Sequence, residues 1–151
     1  MNQEVGSIMN FFYNVFPCKI YTKEVPENFA VPSMYFPAPF SFDGNDTTST
    51  FKKTYSLSVK LFHKDSQQAD DEAEKIADVV REKRSIIPIL NDDGSNIGSY
   101  LRLSRIETRI ADRGVAIIQV TWDSRYFYER EEYKGLENFK IASGVKESGK
   151  E

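Results

Sequence analysis

The sequence is short of most residues that do chemistry. It has a single histidine and a single cysteine in 151 residues. With His63 alone, neither a two-histidine metal site nor a histidine relay can be built. With Cys18 alone no intramolecular disulfide exists, which fits a reducing compartment. Cys18 follows Pro17 in an apolar segment and reads as a buried, inert thiol. No apolar run approaches the length of a membrane span, and no basic region followed by an apolar one opens the chain. A cytoplasmic protein is expected. An excess of positive charge is missing too: 20 basic against 23 acidic residues leave a net charge of -3. A protein that lives on nucleic acid normally shows a basic face in its composition. There is no glycine-rich phosphate loop and no nucleophile elbow. Nothing in the sequence asks for a cofactor, and an enzyme is not expected.

What is present is a pair of clear periodicities. From Tyr55 the chain alternates: Tyr55, Leu57, Val59 and Leu61 on one side, Thr54, Ser56, Ser58 and Lys60 on the other. A period of two gives a strand with one apolar and one wet face. After Asp65 the period becomes helical, with Ala69, Ala73, Ile76, Ala77 and Val80 on one stripe and Asp70, Asp71, Glu74, Asp78 and Glu82 on the remaining arc. Ser66 or Asp65 caps this helix, and Arg81, Lys83 and Arg84 suit its negative end. The unit is an amphipathic helix ready to lie on a half-buried sheet.

The flanks follow the same logic. Val5, Ile8, Met9, Phe12 and Val15 stand at helical spacing, and Pro17 ends that helix. Residues 18–22 read as a short strand. Residues 29–42 are apolar but hold Pro32, Pro37 and Pro39, which confines them to an edge or interrupted strand around Ser33 to Phe36, continuing irregularly to Phe42. Asp43, Gly44, Asn45, Asp46, Thr47, Thr48, Ser49 and Thr50 form a polar stretch without an apolar anchor, expected to project as a loop. Ile86 to Leu90 reads as a connector and Asn91 to Ser95 as a turn. Tyr100 to Arg109 is a strand whose alternation switches phase near Ser104 and Arg105, the mark of a bulge. Gly114 closes a hairpin turn into the longest strand, Val115 to Tyr126, with Ala116, Ile118, Val120 and Trp122 on one face. Beyond Tyr128 charges of both signs mix and apolar residues thin out. The reading is one α+β domain over residues 1–128, with a mainly antiparallel sheet carrying two helices on one face, and a charged extension over 129–151 that is partly disordered.

Two groups of charges stand out. Asp92, Asp93 and Asp112 are the candidates for a small metal-dependent hydrolase, although a calcium loop counted from Asn91 has Arg102 where the bidentate glutamate belongs. The bases Arg102, Arg105 and Arg109 lie on or near strands. They are either the wet side of a half-buried sheet or a contact between subunits, where they would meet Asp71, Glu74 and Asp78 on the helix of a neighbouring copy.

The order of these segments resembles a family. A short N-terminal helix precedes Lys19-Ile20-Tyr21-Thr22-Lys23-Glu24-Val25, then the proline-punctuated Pro32-Ser33-Met34-Tyr35-Phe36. A polar loop, the strand Tyr55 to Phe62, the acidic helix Asp70 to Arg84 and a closing antiparallel pair follow. Over Met1 to Tyr128 this is similar to the tail terminator (tail-to-head joining, tail completion) proteins of long-tailed bacteriophages and their prophages. The resemblance implies a non-enzymatic structural protein that assembles as a homo-oligomeric ring, usually a hexamer, on the last ring of tail tube protein. The ring ends tube polymerisation and presents a surface to the head connector. It implies assembly in the host cytoplasm followed by a place in the virion at the tail-head junction, with no membrane and no specific nucleic acid as partner. Carried to this chain, residues 43–50 would be a projecting loop and the strand faces around Arg102 to Arg109 an intersubunit surface. A head-closure or other neck component is the alternative within the same setting.

Overall fold

The computed structural model describes residues 3–127. The chain runs α1 (Gln3–Val15), β1 (Lys19–Tyr21), β2 (Ser33–Tyr35), β3 (Phe40–Asn45), β4 (Thr50–Phe62), α2 (Ser66–Glu82), β5 (Ile86–Leu90), β6 (Asn96–Asp112) and β7 (Val115–Phe127). The strands form one mixed sheet in the order β1-β2-β4-β7-β6-β5, with β3 sharing an edge of β4 with β2. Only the β1–β2 pair is parallel among the described residues. The architecture is α+β.

The centre of the sheet is β4 against β7, paired without interruption from Thr50–Phe127 to Phe62–Val115. Their alternation places Tyr55, Leu57, Val59 and Leu61 beside Trp122, Val120, Ile118 and Ala116, all buried in one cluster. Each fully buried aliphatic side chain there contributes about 1.5–3 kcal/mol. Val5, Ile8 and Phe12 of α1 join the same cluster, as do Ala69, Ala73, Ile76 and Val80 of α2. Helix α2 lies against β6 and β7, α1 lies against β5, and the two helices meet. The small alanines of α2 let its backbone come close to the sheet.

Local chemistry fixes the helix ends. Asp65 is the N-cap of α2, and its carboxylate accepts the Gln68 N–H at 2.8 Å and the Gln68 side-chain amide at 2.9 Å. Ser66 ties the helix to the β6–β7 hairpin by accepting the Gly114 N–H at 3.1 Å. No glycine follows α2, so Arg84 and Ser85 both take φ of 60° to end it. Helix α1 is bound to β5 by Ser7, whose hydroxyl accepts the Leu90 N–H at 2.9 Å and donates to the Gln3 carbonyl at 2.8 Å. The sheet curls around α1, so Ile20 of β1 and Leu90 of β5, from its two ends, line one groove.

Two expectations need correction. Asp43, Gly44 and Asn45 are not loop: they are ladder residues of β3, paired with Lys53, Lys52 and Phe51. The connection is therefore short, from Asp46 to Ser49, and Thr50 already belongs to β4 and is buried. Ile86 to Leu90 is not a connector but β5, paired with the first half of β6, with a register shift between Pro88 and Leu90. An edge position tolerates Pro88, whose missing N–H costs no ladder bond if it faces outward. The reading of residues 129–151 falls outside the described residues.

Candidate assembly surfaces

The bulge in β6 organises the side of the sheet that faces away from the buried cluster. Leu103 pairs with Trp122, then the register shifts, and Ile106 and Thr108 pair with Val120 and Ile118. Core-side residues are thus odd-numbered before Ser104 and even-numbered after it. Ser104 takes up the extra residue and donates its hydroxyl to the Thr121 carbonyl at 3.0 Å. As a result Arg102, Arg105 and Arg109, which are not in phase along a regular strand, all face away from the core and are exposed. A bulge re-aims side chains in this way without breaking the sheet.

The registers extend this face across the sheet. Arg109 stands beside Ile117, which stands beside Lys60; Arg105 stands beside Thr121 and then Ser56. Gln119 donates to the Ser56 hydroxyl at 3.0 Å. Arg105 makes an ion pair with Glu107 at 3.0 Å, both side chains largely in solvent. Such an exposed pair contributes little to stability. Arg102 and Arg109 have no ion-pair partner among the described residues. The face carries a basic surplus over a floor of hydroxyls.

The acids singled out on α2 are partly committed inside the chain. Glu74 accepts a hydrogen bond from Thr108 on the core side of β6. Arg81 reaches Asp78 at 2.9 Å and Glu74 at 3.7 Å. Asp71 accepts from Gln67 at 2.8 Å. So α2 already packs on the strand that carries the arginines, but on the opposite side of it. The two charged surfaces do not meet within one chain.

The hairpin between β3 and β4 carries features that sequence reasoning passed over. Phe40 and Phe42 pair with Ser56 and Thr54, so both rings stand on the face turned away from the buried cluster. They are 67% and 54% exposed, with ring centroids 6.0 Å apart. The signal was present in Phe40-Ser41-Phe42, an alternation hidden by the prolines before it. Asp46 at the hairpin tip is held by Arg125 of β7 at 2.5 Å, and Thr47 takes the Thr50 N–H at 3.0 Å.

The acidic residues considered for metal chemistry do not converge. Asp92 and Asp93 lie in the β5–β6 turn and Asp112 at the far end of β6. That strand has 17 residues, roughly 50 Å of extended chain. Asp93 is occupied by Ser95, whose N–H and hydroxyl it accepts at 2.9 and 2.7 Å; these bonds hold its carboxyl below the usual range. Burial pushes the Cys18 thiol up to about 11, so it is a poor nucleophile.

A family model described as phage tail terminator protein matches residues 5–135. The chain belongs to the phage tail terminator family. Two curated relatives come from Bacillus subtilis (strain 168). Protein YqbJ is 53% identical over 146 residues, covering 97% of this chain and all of the relative. Phage-like element PBSX protein XkdJ is 51% identical with the same coverage. A chain from a solved structure described as the virion of a native gene transfer agent particle has 12% identity and a TM-score of 0.49, over 82% of this chain and 94% of that one. This terminator-family chain has a structural role in a phage tail or virion. No helix among its described residues is long and apolar enough to cross a membrane.

Proposed function

We propose that this terminator-family chain works by closing copies of itself into a ring, hexameric in the intact particle, on the end of the tail tube. The ring stops addition of tail tube protein and offers its other side to the head connector, at the tail-head junction. The observation that carries this reading is the charge separation across the sheet. Arginines 102, 105 and 109 are exposed and face away from the buried cluster, while the acids of α2 belong to a helix that packs on the cluster side. In this reading both helices share one face of the sheet, supported by their mutual contact and common buried cluster. A ring needs two different surfaces on each copy that fit each other.

The basic face of one copy then meets Asp71 and Asp78 of the next, with Glu74 held in place behind them by Thr108. The hairpin tip, now Asp46, Thr47, Thr48 and Ser49, projects toward the tube or the connector. Residues 1–128 form the ring-building domain, and 129–151 are a charged extension of it. The work is done by fit, without bond-making or a cofactor.

The test is electron microscopy of tail tubes incubated with the purified chain. Rings on one tube end are expected for the native chain, and Arg105→Glu combined with Arg109→Glu should abolish them while leaving a folded protein. Tubes that never acquire a ring, together with binding to the connector alone in a pull-down, would instead make this a neck component.

A further inference from the structure

A knob and a socket sit at separate places on this molecule, and neither is filled by a described residue. The knob is the side of the β3–β4 hairpin turned away from the buried cluster. Phe40 and Phe42 stand there with Lys52, which pairs with Gly44 and so points the same way. The edge strand β3 has no proline, lysine or bulge, and its one charged residue, Asp43, alternates to the opposite face from the two rings. Pairs of large aromatics on an otherwise polar face mark a contact for a partner.

The socket is the groove beside α1 where the sheet fails to close. It has a volume of about 410 Å³, and Met9, Tyr13, Ile20 and Leu90 give it apolar walls. Asp92, from the β5–β6 turn, stands at its rim. Gly6 forms part of the wall and has open space above its Cα, with nothing within 4 Å of an added Cβ. No residue of β3 or β4 lines the groove.

We propose that Phe40 and Phe42 of one copy insert into the groove beside α1 of the next copy, with Lys52 set against Asp92. The occupant is a second copy of this chain because the two sites complement each other. Two rings face an apolar groove of suitable volume, and a base beside the rings faces an acid at the rim. They also lie on different parts of the surface, which gives a head-to-tail contact that can close a ring rather than a two-fold dimer. The inference rests on the ring reading above and names the contact that would hold the ring together.

Disulfide trapping in a Cys18→Ala background tests it. Chains carrying Phe42→Cys are mixed with chains carrying Met9→Cys on tail tubes under mild oxidation. We expect a linked dimer from the mixture and a ladder up to the closed ring from a chain carrying both cysteines. Gly6→Leu fills the groove and removes a helix glycine, so it should fold normally yet weaken ring formation at least ~30-fold, the scale of losing a buried aromatic anchor. Phe42→Ser should do the same. Lys52→Glu and Asp92→Lys should each weaken assembly and restore it when mixed. Rings that form normally with Gly6→Leu, or that give no Phe42–Met9 linkage, overturn this contact and leave the ring reading standing. Absence of rings from the native chain on tubes overturns both.

Discussion

The turn at Gly114 sets the register of β6 against β7 and hence the side on which the arginines emerge. Its φ is +70°, and a Cβ added there would lie 2.7 Å from the His63 carbonyl oxygen. That oxygen is backbone and cannot swing away. The Gly114 carbonyl also accepts the His63 N–H at 2.9 Å. Gly114→Ala therefore meets a left-handed backbone penalty of about 1–2 kcal/mol. Displacement of the His63 segment weakens that hydrogen bond by about 1 kcal/mol more. A total near 3 kcal/mol lowers Tm by roughly 6–12 °C in a chain of this size. Gly94 separates the two causes, since its φ is +88° but nothing lies within 4 Å of an added Cβ. Gly94→Ala should lose only the backbone part, about 1–2 kcal/mol. Gly44, with free space and no left-handed φ, should tolerate alanine without loss. Thermal unfolding followed by circular dichroism ranks the three. If Gly114→Ala melts no lower than Gly94→Ala, close packing of the turn on His63 is not what requires glycine there.

Three further outcomes follow from the same geometry. Hydrogen bonds from the Gln68 backbone and side chain lower the folded pKa of Asp65 below its ordinary 3.8. Its contribution is then fully present above that value and is lost as pH falls through the lower folded pKa, so the Tm gap between native chain and Asp65→Asn should hold from pH 7 to about 5 and shrink below pH 4. Cys18, with its thiol near 11, should react with a thiol reagent at pH 8 far more slowly in the folded chain than in denaturant; equal rates would contradict its burial. Deleting Ser104 removes the bulge and would turn Leu101 and Leu103 outward, so the protein should fail to fold cooperatively, whereas Ser104→Ala should cost only about 1 kcal/mol for its bond to Thr121.

Much of the architecture was written in periodicity. The strand at Tyr55 to Leu61 and the helix that follows it are legible because each buries a single face, and burial is what imposes a period. The switch between Leu103 and Ile106 revealed the bulge for the same reason. Strands β3 and β5 were missed because an edge strand need not bury alternate residues: all six residues of β3 are exposed. In β5 the sequence Ile86-Ile87-Pro88-Ile89-Leu90 shows no alternation, and its proline argued for a connector. The arginines were identifiable as a group, and the bulge explains how they share a face. The engagement of Glu74 by Thr108 was not legible, since it depends on how α2 lands across β6. Phe40 and Phe42 were visible as residues but not as a surface, because their exposure follows from the pairing of β3 with β4.

The central claim is that this chain ends a tail by fitting copies of itself onto it. Tail length measured by electron microscopy in particles assembled without the chain tests this most directly. Overlong tubes of scattered length, unattached to heads and restored to one length by adding the chain back, are the expected result. Tails of normal, uniform length already joined to heads would contradict it.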